Sequence, residues 1–144
     1  GESHYADIRD TLRRTFGVPL PAGAPPKSYD RARHHAAFCG FLGFLKNNLA
    51  LQTSVRVDAS WASQAQILQG ICQFGAPDIV LRAENLAAGL AQLSELTGKK
   101  PPPIAEPPPD TPFTLEDIYD DQIEAAVRSA YQRDYMMFGY SAWR

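Results

Sequence analysis

The stretch APDIVLRAENLAAGLAQLSELTG, residues 76–98, decides how this chain is read. Its first half is short, apolar and β-branched, bounded by Pro77 and by the charged turn Arg82-Ala83-Glu84-Asn85. That pattern predicts a strand over Asp78–Leu81. Its second half sets Leu86, Leu90 and Leu93 at helical spacing and closes on Gly98. That predicts a helix opening at Asn85 and stopped by the glycine. A lone strand cannot satisfy its own backbone N–H and C=O groups. The segment therefore predicts either a second short strand in this chain or a sheet whose other members are missing from it.

Working outward, the periodic segments are helical. In SHYADIRDTLRRTFG, residues 3–17, Ser3 is a candidate cap, Tyr5, Ile8, Leu12 and Phe16 form one stripe, and Gly17 is a candidate stop. Arg9, Arg13 and Arg14 read either as a solvated face or as an anion grip. The four prolines of VPLPAGAPPKSYD, residues 18–30, exclude a helix there. Phe38, Phe41, Leu42, Leu45 and Leu49 then predict a strong amphipathic helix. Within it, Gly40 and Gly43 allow close approach of another element. His34 and His35 point about 100° apart on a helix and read as isolated surface histidines. A third helix is predicted to start at Asp58 or Ser60 and run through Trp61, Ile67 and Leu68. The proline-dense segment 99–113 reads as a stiff strap, the alternative being a partner-binding proline motif. One last helix is predicted from a Thr114–Asp117 capping pair to Gly139, with Ile123, Val127, Ala130, Tyr131, Tyr135 and Phe138 on one face. Its aromatics, with Tyr140 and Trp143, read as core.

The fold class expected from the residues is mainly α with one or two short strands. A length of 144 residues suits a single domain, and a net charge of −2 offers no general basic field for nucleic acid or an anionic membrane. No apolar run is long enough to span a bilayer. Cys39 and Cys72 sit among apolar neighbours and read as buried free thiols rather than a disulfide, which points to a reducing, cytoplasmic setting. No metal-ligand spacing, serine elbow, catalytic cysteine–histidine spacing, GxxxxGK[ST] or GxGxxG occurs.

Three blocks in order carry further information: FCGFLGFLKNN at 38–48, DASWASQAQILQG leading into the 76–98 stretch, and IYDDQIEAAVRSAYQRDYMMFGY at 118–140. Together they resemble the C-terminal half of the sulfotransferase family that includes the carbohydrate sulfotransferases and bacterial relatives. That family shows a Phe/Leu-rich helix, a Trp followed by Gln, and a strand entering an Arg-x-Glu-Asn-Leu turn. It closes on a Tyr-x-x-Asp-Tyr-x-x-Phe-Gly-Tyr ending, here Tyr131, Asp134, Tyr135, Phe138, Gly139 and Tyr140. The resemblance spans roughly residues 36–98 and 114–140. It implies the C-terminal part of an α/β P-loop-type sulfotransferase fold, with Asp78–Leu81 as a late strand of its parallel sheet. Gly1 reads as a protease scar from a tag, which places the other strands upstream of it. Residues 1–144 are then either one domain or a C-terminal portion of a larger one.

What the resemblance implies for function is sulfate transfer from 3′-phosphoadenosine 5′-phosphosulfate to a hydroxyl of a carbohydrate-like acceptor. Arg82 and Glu84 fall near the donor, and Arg56, Trp61 and Gln64 near the acceptor. Two departures stand. The family's phosphate loop and its Arg-Asp/Asn-Pro motif are absent from these residues, and Ala83 replaces the aromatic that relatives often carry at the turn. The competing expectation is a non-catalytic helical interaction module. An orphan strand edge and one-sided helices also predict association into a homodimer.

Overall fold

The computed structural model describes residues 2–75, 77–101, 103–104 and 112–143, with side chains from residue 6 onward. The described residues are mainly helical: α1 (Glu2–Thr15), α2 (Arg31–Leu49), α3 (Gln64–Ile71), α4 (Leu86–Thr97), α5 (Leu115–Ile118), α6 (Asp121–Ala130) and α7 (Gln132–Phe138), with a 3₁₀ turn at Ala83–Asn85. The expected strand is corrected. Asp78–Leu81 is irregular, and no strand forms among the described residues. Among the described residues no second segment shares a ladder with it, so its backbone gains nothing by straightening. No described helix is long and apolar enough to cross a membrane. The Ser3 and Tyr5 side chains, and most of the 99–113 strap, lie outside the described residues.

The chain divides into two compact units, Gly1–Gln69 with Thr111–Arg144, and Gly70–Asp110. The first is built on α2, which packs along α6 and against α5. Its start is fixed by Asp30, whose carboxylate accepts from the Arg33 N–H at 2.9 Å. Leu42 and Leu45 of α2 join Leu12, Val18, Ile118 and the fully buried Ile123 in one buried cluster. Phe16 closes this core edge-on to Phe44, with ring centroids 4.8 Å apart. A Cβ on Gly40 would lie 2.9 Å from Pro19 Cδ, so this glycine lets the proline loop lie on the helix. A Cβ on Gly43 would meet open space.

Two helices differ from their sequence reading. The third begins at Gln64, not at Asp58 or Ser60, because the Asp58 carboxylate is turned onto Ser60 N–H and Oγ–H in a local turn. The expected long C-terminal helix is three. The Thr114–Asp117 capping box starts α5 as expected. Tyr119 then turns extended at ψ 131° and Asp120 caps a new start, accepting from Ile123 N–H at 2.9 Å. Tyr131 leaves helical geometry again, with φ −110° and ψ 32°. Gly139, at φ 62°, ends α7 as its sequence indicated.

The second unit holds the 3₁₀ turn and α4, closed by Gly98 at φ 68°. Leu81 lies so close to α4 that a Cβ on Gly89 would come 2.6 Å from its Cδ2. Ile71, Phe74, Ile79, Val80 and Leu96 are exposed in this unit, Phe74 at 94%. Cys72 is also exposed, which corrects its reading as a buried thiol, whereas Cys39 is half-buried and both are free.

Candidate functional site

The first block, the opening of the second at 58–69 and the third meet inside the first unit through side-chain hydrogen bonds, while the 76–98 part of the second block lies in the other unit. Asn48, at the end of the first block, is buried on α2. Its amide nitrogen donates to Val55 O at 2.7 Å and Thr53 Oγ1 at 2.8 Å, and its oxygen accepts from Trp61 Nε1 at 2.9 Å. Trp61 stands edge-on to Phe41 with centroids 6.1 Å apart. From the third block, the Tyr131 hydroxyl donates to Trp61 O at 2.9 Å. Asp134, buried on α7, accepts from Ser63 Oγ at 2.6 Å, Ala65 N at 2.9 Å and Gln64 N at 3.0 Å. A carboxylate remote in sequence thus caps α3, satisfying N–H groups that a helix start leaves open.

This placement bears on the expected site residues one by one. Trp61 is half-buried and its indole N–H is spent on Asn48. Gln64 opens α3, with its side-chain oxygen accepting from Tyr140 Oη at 2.9 Å. Arg56 is exposed on a groove of about 530 Å³ that it shares with Ile8, Val57 and Ile67. Trp61 and Gln64 are therefore tied into one network, and Arg56 lies on the loop that enters it. Arg82 and Glu84 belong to the other unit, flanking and within the 3₁₀ turn, and both are exposed.

Sequence reasoning missed two further clusters. Glu124 accepts from Tyr119 Oη at 2.5 Å, Arg128 Nε at 2.6 Å, Trp143 N at 3.2 Å and Tyr135 Oη at 3.3 Å. Trp143 packs edge-on to Tyr119, yet it remains exposed, which corrects its reading as core. The Tyr119 hydrogen bond, ahead of Arg128 and Trp143, holds the Glu124 carboxyl below its ordinary 4.5. Burial, then Glu124, pushes the Tyr119 phenol above its ordinary 10.0. The signs set a window. The depressed carboxyl contributes stability above pH 4.5 that is lost as pH falls through its folded value. The raised phenol contributes stability below pH 10.0 that is lost as pH rises through its own. Urea midpoints across pH should therefore form a plateau between these limits. Glu124→Gln should flatten the acid limb and Tyr119→Phe the alkaline one; unchanged limbs in both variants would refute the assignment.

The second cluster corrects the reading of the histidines as isolated. His35 Nε2 lies 2.9 Å from Asp120 Oδ2, and Cys39 Sγ lies 3.8 Å from His35 Nδ1. His34 Nδ1 lies 3.1 Å from Tyr29 Oη. The i, i+4 spacing of His35 and Cys39 was the available signal. Burial, then Asp120, raises the Cys39 thiol, so the group stays protonated near neutrality and is a weak nucleophile. Among the described residues no group of histidine, cysteine and carboxylates can hold a metal ion.

Comparisons with protein-family models, with curated proteins and with solved structures each found no match for this chain.

Proposed function

We propose that this chain is the acceptor-side portion of a sulfotransferase, handling a carbohydrate-like hydroxyl acceptor in the cytoplasm. One observation carries the reading. Residues of the blocks that resemble the family, up to 71 positions apart, are joined by Asn48 to Trp61, Tyr131 to Trp61, and Asp134 to Ser63, Gln64 and Ala65. Residues that match a family pattern at scattered positions here serve one network. That shared network supports reading the blocks as parts of one fold segment.

The residues do not fit the whole sulfate donor. A nucleotide with several phosphate charges needs backbone N–H groups and fixed cations around it. Among the expected donor residues only Arg82 is cationic, and no glycine-rich phosphate loop occurs in the sequence. The donor's phosphates are accordingly assigned to residues other than these, and Arg82 to one contact at their edge. Sulfuryl transfer further requires a base on the acceptor hydroxyl and a cation on the leaving phosphate. No step is assigned to a residue of this chain.

Titration with adenosine 3′,5′-bisphosphate tests the reading. Weak saturable binding is expected, reduced about tenfold by Arg82→Ala, the scale of one charge-assisted contact. A second reading, a self-associating helical module, is favoured by the exposed Ile71, Phe74 and Leu96 of the second unit. Silence in the titration, with concentration-dependent dimerisation by sedimentation, would replace the first reading with this one.

A further inference from the structure

A groove of about 530 Å³ lies on the first unit between the proline loop 18–30 and the start of α2. Its size falls in the range of about 300–1,000 Å³ of small-ligand sites. Pro19, Pro21, Pro26 and Tyr29 of the loop line it, with Arg33 and Ala36 of α2. The rest of the wall is a leucine, two alanines and a glycine, so among the described residues Tyr29 and Arg33 bring its only polar side chains.

Three features distinguish this wall. First, it is stiff before any ligand arrives. Each proline ring fixes its own φ. Pro19 lies on α2 where Gly40 leaves room, Leu20 N–H donates to Val18 O at 2.7 Å, and Tyr29 N–H donates to Pro26 O at 2.8 Å. The Tyr29 ring stands edge-on to His34 with centroids 5.8 Å apart, and its hydroxyl lies 3.1 Å from His34 Nδ1. Second, the cation in the wall is held in place. Arg33 Nη1 donates to Ser28 O at 3.0 Å and to Ser28 Oγ at 3.2 Å. Its Nε and Nη2 have no partner among the described residues, and that edge is the fork which takes a carboxylate through two parallel bonds. Lys27 and Arg31, its neighbours in sequence, lack such an anchor among the described residues and lie outside the wall. Third, no carboxylate of the described residues lines the groove. Asp30, the nearest acid in sequence, accepts from the Arg33 backbone N–H at 2.9 Å as the cap of α2.

We infer that this groove binds a small aromatic carboxylate. Arg33 takes the carboxylate on its open edge. The ring lies against the proline rings, whose C–H groups suit the negative face of an aromatic, and against Tyr29. A flat, stiff ring suits a stiff wall, whereas an alkyl chain would lose rotamer freedom on entering it. The inference stands apart from the sulfate-transfer reading: no wall residue belongs to the three family-like blocks or to the residues expected at donor and acceptor.

The experiment titrates the full chain with 2-naphthoate, its neutral isostere 2-naphthamide, octanoate and acetate, read by backbone amide chemical shifts. 2-Naphthoate should saturate at least about tenfold tighter than each control and should shift the amides of Ala22, Ala24 and Ala36. Arg33→Gln should weaken 2-naphthoate about tenfold and leave 2-naphthamide unchanged. Ala36 is exposed on α2, so Ala36→Leu should fill the groove and abolish binding while retaining the helical circular dichroism of the parent. Equal binding of 2-naphthoate and 2-naphthamide, or indifference to Arg33→Gln, overturns the inference. So does parent-like binding in Ala36→Leu, or shifts confined to residues outside the groove. Octanoate binding as tightly makes the groove an acyl-chain site, and acetate binding as tightly makes it a simple anion site; either result also overturns it. Because the donor test reads Arg82 and this one reads Arg33 and Ala36, either can fail while the other stands.

Discussion

Replacing Asp134 with alanine should lower the stability of the chain by about 3 kcal/mol, the scale of a buried carboxylate whose partners are left unsatisfied. Ser63 Oγ–H, Gln64 N–H and Ala65 N–H all donate to this one carboxylate, and Ser63 and Ala65 are buried with it. An alanine reaches none of them, and the short α3 has no other acceptor of equal strength at its start. Ser63 Oγ, the nearest substitute, meets Gln66 N–H only at 3.4 Å. Asp134→Asn should recover only part of the loss, because its amide NH₂ would face donors with a donor. The urea midpoint should fall with little change in slope, and the amides of Gln64 and Ala65 should exchange faster than those of α2. A loss under about 1 kcal/mol would show that the cap is surface decoration, and with it the link between the second and third sequence blocks would lose its force.

How far the sequence could be read follows from which forces act locally. The α1 stop at Gly17, the α4 stop at Gly98 and the α7 stop at Gly139 all carry positive φ, and each was legible because a left-handed residue at a helix end favours glycine. The stripe of Leu42, Leu45 and Leu49 was legible because all three face the core from one helix. Asp78–Leu81 was misread because β-branched content signals a strand only where a partner exists, and pairing is not written in the segment itself. The long C-terminal helix was misread for a different reason. Its apolar face continues across Asp120 and Tyr131, but Asp120 caps a fresh start there, and an acidic residue before Asp121 is as consistent with a solvated helix face as with a cap.

The site was harder to read than the fold. Trp61 and Gln64 were singled out by position, yet Asn48 and Asp134, the residues that hold them, were quoted without a role. Nothing local announces a buried carboxylate that caps a helix 69 residues away in the chain. Arg33 was equally silent, because only its bonds to Ser28 separate a held guanidinium from a solvated one.

Asn48→Ala carries the second large effect, again about 3 kcal/mol, combining lost hydrogen bonds with a small cavity. Asn48 is 1% exposed and sits where α2, the Thr53–Val55 loop and Trp61 converge. Truncation strands Val55 C=O and Trp61 Nε1–H together. Asn48→Asp discriminates this account from simple loss of volume, since it is nearly isosteric. Its carboxylate could still accept from Trp61 but would face Val55 O, which Asn48 now reaches at 2.7 Å. Burial and that carbonyl would both raise the new carboxyl's pKa in the folded state. A raised folded value means stability present at low pH and lost as pH rises through it, so Asn48→Asp should be most stable in mild acid and weaken towards neutrality. The parent chain should show the opposite trend on the same acid limb, because Glu124 and Asp120 are held low there. Urea midpoints at several pH values read both trends directly. If Asn48→Asp followed the parent with pH and lost under about 1 kcal/mol, the amide would not be the joint between α2 and Trp61, and the first sequence block would have no physical tie to the second.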